Sequence, residues 1–109
     1  MRKLVFMPEA EEERSELSPQ ERAALHNAVV KLEQLGPALG YARTSAIRGT
    51  EGLRELRPRQ GRSPWRGLYR QVGAVFVLAA VAPEAERDPR RFRWSCEAAS
   101  ERLDKLEEE

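Results

Sequence analysis

The sequence predicts an α+β fold, a small antiparallel sheet made of an N-terminal strand plus a three-strand meander, covered by two N-terminal helices and a C-terminal helix. Three observations lead there. Two stretches open with a capping residue followed by proline and continue with apolar residues at helical spacing. Three short β-prone runs lie between them with tight turns. One of those runs, Ala74 to Val81, is apolar on both parities, so it belongs in the centre of a sheet with both faces covered.

Taken in order, Leu4-Val5-Phe6-Met7 reads as a strand that Pro8 ends. Glu9 to Leu17 is polar, with Ala10 and Leu17 its apolar points, and reads as a short solvated helix. Ser18-Pro19-Gln20-Glu21 is a helix start, with Ser18 at the N-cap, Pro19 at the first position and Glu21 at the third position of a capping box. Leu25, Ala28, Val29, Leu32 and Leu35 form its apolar stripe, and Gly36-Pro37 stops it. Residues 37–52 show no periodicity and read as a loop. Leu53 to Arg57 is a strand ended by Pro58, Gln60 to Pro64 a turn, Trp65 to Val72 a second strand, and Gly73 turns it into the third. The short connections make these three antiparallel neighbours. Asp88-Pro89 opens the last helix, striped by Phe92, Cys96, Ala99, Leu103 and Leu106. Its end, Glu107-Glu108-Glu109, is expected to fray, because three anions oppose the helix dipole there. The helices are expected on one face of the sheet, in a single domain over residues 1–109.

Composition narrows the class. With 40% apolar and 34% charged residues the chain is globular rather than disordered. One cysteine excludes a disulfide framework and suits a reducing compartment. No apolar run approaches the ~18 residues of a membrane span, and the four-residue run after the basic opening is too short for a signal peptide. A cytoplasmic protein with no membrane partner is expected. The net charge of +1 conceals segregation: residues 1–40 carry −2, residues 41–73 carry +6 and residues 74–109 carry −3. All eight cations of the middle block are arginine, which suits bidentate contact with phosphate or carboxylate.

The ordered set Gly52-Leu53-Arg54-Glu55-Leu56-Arg57, a turn with Gly61-Arg62, then Trp65-Arg66-Gly67-Leu68-Tyr69 and Val75-Phe76-Val77-Leu78 resembles the RelE/ParE toxin superfamily, most closely its phage-related HigB-like branch. The short first strand ending in Pro8-Glu9-Ala10 and the last helix with Glu97, Ala98 and Arg102 agree with it. The resemblance implies a RelE-like fold and the toxin of a type II toxin–antitoxin pair, an mRNA endoribonuclease that is usually ribosome-dependent. It implies as partners a cognate antitoxin of helix-turn-helix, HigA-like type, messenger RNA and the ribosome. By position, Arg57 and Arg66 match the family's active-site arginines on adjacent strands, Tyr69 the tyrosine of the second strand, and Glu55 the motif glutamate. The family usually has cations just after the last strand. This chain has Ala82-Pro83-Glu84-Ala85-Glu86 there, and Arg87 is its first cation.

RNA carries its own nucleophile, the 2′-hydroxyl. An enzyme must help to deprotonate it, stabilise charge at phosphorus and protonate the leaving oxygen. Clustered guanidiniums serve the second task and titrate too weakly for the others, which leaves Glu55, Tyr69 and the lone histidine, His26, as proton carriers, although His26 is expected on the helical layer while the arginines lie on strands. Alternation places Arg66, Leu68 and Arg70 on one face of their strand and Trp65, Tyr69 and Gln71 on the other. Arg54, Arg59, Arg62, Arg70 and Arg87 are candidate phosphate contacts, or plain surface. Trp65 either stacks on a base or packs on the sheet. Trp94 is expected to be partly buried under the N-terminal helices. His26 is alone and mid-helix and Cys96 falls in a core stripe, so neither metal nor cofactor is expected. Two other readings stay open: a ParE-like gyrase inhibitor or degenerate toxin on the same fold, and a phage accessory protein that binds nucleic acid without cutting it.

Overall fold

A computed structural model describes residues 2–108. Strand β1 (Lys3–Phe6) leads directly into α1 (Pro8–Ser15) and α2 (Pro19–Leu35). After a 3-10 turn over Gly36–Ala38 come β2 (Thr44–Ala46) and β3 (Arg54–Leu56). A second 3-10 turn, Pro58–Gly61, leads to β4 (Trp65–Val72), β5 (Val75–Pro83) and α3 (Pro89–Glu108). The sheet has five strands in the order β1-β5-β4-β3-β2.

The α+β class and the three helices are as expected, and the sheet differs in two respects. It is mixed, because β1 pairs with β5 in parallel, Leu4 opposite Phe76 and Phe6 opposite Leu78. The apolar content of β1 marks it as a strand but carries no information on its direction. The stretch read as loop also contains β2, three residues of Thr-Ser-Ala paired antiparallel to β3. So short a polar strand has no alternation to detect.

The helices divide between the two faces of the sheet rather than sharing one. Leu25, Val29 and Leu32 of α2, with Ala10 of α1, pack on Leu4, Leu56, Tyr69, Phe76, Leu78 and Val81. Cys96, Ala99 and Leu103 of α3 pack on Leu53, Leu68, Val77, Ala79, Ala80 and Ala82. This follows from β5 itself, whose side chains are apolar on both faces and require cover on both. Its run of alanines lets α3 approach closely. Trp94 is 57% exposed instead of lying under the N-terminal helices. Leu35 and Leu106, expected in helix stripes, are also exposed.

Local chemistry sets the junctions. Ser18 caps α2 by accepting from the Glu21 amide at 3.2 Å. The Glu21 carboxylate accepts from Ser63 Oγ at 2.9 Å, tying the start of α2 to the β3–β4 turn. Beyond β1, the exposed edge of β5 is covered by α1: Glu13 Oε1 accepts from the Val81 amide at 2.9 Å. The β4–β5 register shifts between Leu68 and Tyr69, leaving Ala79 as an extra residue whose carbonyl accepts from Arg102 Nη1 at 2.7 Å. α3 is continuous to Glu108, with Glu107 paired to Arg70, so the expected fraying is not seen there, and Glu109 lies outside the described residues. No helix among the described residues is long and apolar enough to cross a membrane.

At the centre, Gly67 admits the two layers to contact distance. A Cβ there would lie 2.9 Å from Leu78 Cδ1 and 3.4 Å from Leu25 Cδ1. Gly67→Ala should therefore destabilise the fold by about 1–3 kcal/mol through overpacking. In a Leu78→Ala background that increment should shrink or reverse, because the added methyl then fills space. Urea denaturation of the double-mutant cycle measures the coupling.

Candidate functional site

β3 and β4 bring Glu55, Arg57 and Arg66 together on the α3 side of the sheet, near its edge. Glu55 lies opposite Leu68, whose side chain is in the α3 layer, and the two-residue repeat puts Arg57 and Arg66 on the same side. Arg57 Nη1 donates to Glu55 Oε1 at 2.8 Å and its Nε to the Ala42 carbonyl at 3.0 Å. Its Nη2 lies against Gly61, where φ is +93° and a Cβ would sit 2.5 Å from that nitrogen. Glycine is thus required by both the turn and the guanidinium. The Tyr41 ring, 80% exposed, has the Arg57 guanidinium carbon 5.1 Å from its centroid.

Arg66 is 4% exposed. Its Nη1 donates to the carbonyls of Ser63 at 2.7 Å and Trp65 at 2.9 Å, and its Nη2 to Glu84 Oε2 at 2.9 Å and the Gly61 carbonyl at 3.4 Å. Its Nε lies 3.6 Å from Glu55 Oε1. Glu55 therefore sits between two guanidiniums, and Arg66 between two carboxylates. A charge this deep persists only when its donors are matched in this way.

Glu84 was not singled out from the sequence, where the stretch after the last strand stood out only for lacking cations. Its signal was available: a carboxylate leaving a buried strand directly beside an arginine-rich one. Ser63, buried and bonded to both Glu21 and the Trp65 amide, was missed as well.

Tyr69 is a correction. It faces the α2 layer, buried, its hydroxyl 2.6 Å from Thr44 Oγ1 and its ring edge-on to Phe76. The sheet separates it from Arg57 and Arg66, so it is a core residue with a satisfied hydroxyl. Arg70 shares the face of Arg66, as alternation requires, but its Nη1 is held by Asp104 Oδ1 at 3.1 Å and Glu107 Oε2 at 2.8 Å. It is a clamp on α3, unavailable to phosphate while those bonds stand. Arg59 approaches Glu21 at 3.6 Å, and Arg62 donates from Nε to the Arg59 carbonyl at 3.0 Å. Arg59, Arg62 and Arg87 are exposed and Arg54 is half-buried. Trp65 is half-buried and packs against the α2-side core. His26 is exposed on α2, in the helical layer, whereas Arg57 and Arg66 lie on the α3 side of the sheet. Among the described residues no group of three or more His, Cys, Asp or Glu side chains is placed to hold a metal ion.

Cys96 lies in the α3-side core, where burial first, then the negative charges of Glu55 and Glu97, push its thiol up to about 11. The native state thus resists ionising a thiol that the unfolded chain ionises near 9. Its contribution is intact below pH 9 and falls away as pH rises towards 11. The urea midpoint of the wild type should drop more steeply over that window than that of Cys96→Ala. Glu55→Gln should make native Cys96 react faster with iodoacetamide at pH 9.

A family profile for phage-derived Gp49-like proteins matches residues 12–82. No curated protein matches the chain in sequence. Among solved structures, a mutant of the E. coli toxin RelE in its free state is 21% identical, with a TM-score of 0.64 over 87% of this chain and 93% of that one. A chain of the intact E. coli RelBE toxin–antitoxin complex is 21% identical, with a TM-score of 0.61 over 77% of this chain and 98% of that one. A YoeB/ParE toxin from Agrobacterium tumefaciens is 14% identical, with a TM-score of 0.57 over 75% and 98%. The profile spans α2, the end of α1 and strands β2 to β4 with nearly all of β5, and the solved structures share the overall arrangement of sheet and helices at TM-scores up to 0.64: the chain belongs to the Gp49-like family of phage-derived proteins and has the RelE-like toxin fold.

Proposed function

We propose that this chain is the toxin of a type II toxin–antitoxin pair and acts as an endoribonuclease on messenger RNA, with the ribosome presenting the strand. The observation that carries the reading is the convergence of Arg57, Glu55, Arg66 and Glu84 at one edge of a RelE-like sheet. In this reading Arg57 is the catalytic cation, because it is the less enclosed of the two site arginines and has a nitrogen without a bonded acceptor beside Gly61. Arg66 is a positioning residue that orients both carboxylates. The 2′-oxygen attacks the adjacent phosphorus, its proton passes to a carboxylate of the cluster, and the 5′-oxygen leaves and takes a proton from solvent. Fixed guanidinium charge beside the phosphorus supplies most of the rate. The cytoplasm and a helix-turn-helix, HigA-like antitoxin follow from the same reading. An acidic antitoxin segment would meet the arginine-rich surface by charge complementarity.

The enclosure of Arg66 favours a second reading, a non-cleaving member of the fold. Every polar nitrogen of that guanidinium already faces an acceptor, and Glu84 stands where the resemblance leads one to expect a cation.

Brief induction in a bacterial host, with RNA 5′ ends mapped within minutes, separates the two. Cuts within translated messages should appear in the wild type and fall by roughly 10²–10³-fold in Arg57→Ala, while Tyr69→Phe should keep cutting and lose about 1 kcal/mol of stability with its hydrogen bond. Equal cutting by Arg57→Ala sinks the assignment. Growth arrest with intact RNA favours the gyrase-inhibitor reading, and neither arrest nor cutting favours a degenerate toxin or a binding protein.

A further inference from the structure

Helix α3 carries its charges against its own dipole. Residues 87–96 hold Arg87, Arg90, Arg91 and Arg93 against Asp88 alone, whereas residues 97–108 hold five carboxylates against Arg102 and Lys105. A helix favours anions at its N-terminus and cations at its C-terminus, so both halves oppose it. The carboxylate half is used by the fold: Asp104 and Glu107 hold Arg70, and Glu101 faces Lys105. The arginine half is not. Arg87, Arg90, Arg91 and Arg93 are exposed, and among the described residues none of their guanidiniums makes a hydrogen bond or ion pair; Asp88 Oδ1 accepts only from the backbone amide of Arg91, at 3.0 Å. Trp94, 57% exposed, stands one turn after Arg90 and Arg91, at the spacings that make helical side chains neighbours. Local rules broken with no return to the fold mark a functional surface.

We propose that the stretch from Arg87 to Trp94 binds single-stranded RNA, the guanidiniums taking successive phosphates and Trp94 stacking an unpaired base. This rests on RNA being the substrate. The stretch is tied to the arginine cluster through Glu84, whose carbonyl accepts from the amides of Arg87 and Asp88, both at 3.1 Å, while its side chain holds Arg66. At the far end of that cluster Tyr41 offers a second solvated ring beside Arg57. Two exposed rings, each with arginine neighbours and joined through Arg57, Glu55, Arg66 and Glu84, match what an unpaired strand presents: phosphates at intervals and flat bases between them. An acidic peptide would use the arginines but not the rings. Arginine in place of lysine throughout the stretch suits the forked geometry of phosphate.

The test titrates a fluorescent oligouridylate into the intact chain at several salt concentrations, with polyglutamate of matched charge beside it. The triple variant Arg90→Gln, Arg91→Gln, Arg93→Gln should bind oligouridylate roughly 10- to 100-fold more weakly, with a log–log salt slope shallower by about 2. Trp94→Ala should lose roughly 5- to 100-fold with the slope unchanged. Polyglutamate should bind more weakly and ignore Trp94. The triple variant should also melt several degrees above the wild type, since it relieves charges opposed to the dipole. Unchanged oligouridylate affinity in both variants overturns the proposal, as does a lowered melting temperature in the triple variant. Tighter, Trp94-dependent binding of polyglutamate transfers the surface to an acidic protein and overturns it too. Message cutting that persists when the triple variant binds like wild type removes this surface and leaves the nuclease. Binding lost in the variants of a chain that never cuts RNA in cells keeps the surface and removes the nuclease.

Discussion

A guanidinium withdrawn almost wholly from water must meet an acceptor at each of its nitrogens, and much of this molecule is arranged to let Arg66 do so. The carbonyls of Gly61, Ser63 and Trp65 turn inward from the β3–β4 connection, Glu55 reaches across from β3, and Glu84 closes the circle from the end of β5. The end of β3, the β3–β4 turn and the end of β5 are thereby pinned at one point. The same bonds set the path of the turn, the start of β4 and the exit of the chain towards α3. Loss of either carboxylate would leave buried charge unmatched, which is costlier than the pair is worth when intact. The cluster is thus both an element of architecture and the candidate site, and its chemistry is bounded by that double duty: Arg57, less enclosed, has a freedom that Arg66 lacks.

The second constraint is β5. A strand apolar on both faces needs two covers, and the chain supplies them from opposite ends, α1 and α2 before the meander and α3 after it. Gly67 brings the α2 layer close on one side, and the alanines of β5 do so for α3 on the other. What remains of β5's open edge is met partly by β1 and partly by Glu13, so no long unpaired edge faces solvent there.

Much of this was legible in the residues. Ser18-Pro19, Gly36-Pro37 and Asp88-Pro89 mark helix ends by conformational chemistry that acts within a few residues, and the double apolarity of Ala74 to Val81 located a strand covered on both faces, which lies inside the sheet between β1 and β4 rather than at its centre. What escaped depends on partners distant in sequence. The direction of β1 is decided by which strand receives it. β2 is a strand only because β3 is beside it. Glu84 gains meaning from Arg66, eighteen residues earlier. Tyr69 is instructive: alternation along β4 already set it opposite Arg66, while resemblance drew it into the site. The pleat decided between them, since a two-residue repeat cannot put neighbours of odd separation on one face. Motif position led one to expect Arg57, Arg66 and Glu55 near one another on adjacent strands, and they are, whereas their enclosure was not legible, because burial is a property of the assembled layers.

The parallel pairing of β1 with β5 has a consequence in time. During synthesis β1 finds its neighbour only after some seventy further residues have been made, with Lys3 opposite Val75 and Phe6 opposite Leu78. Until then α1 and α2 have no finished sheet to cover, and such long-range closure is slow compared with local helix formation. Glu84, which completes the surroundings of Arg66, emerges later still. A nascent chain therefore holds its arginines apart until β5 and Glu84 have been made, and the cluster comes together only then. On the proposed reading, in which the folded chain acts on translated messages, this order of assembly is itself a delay.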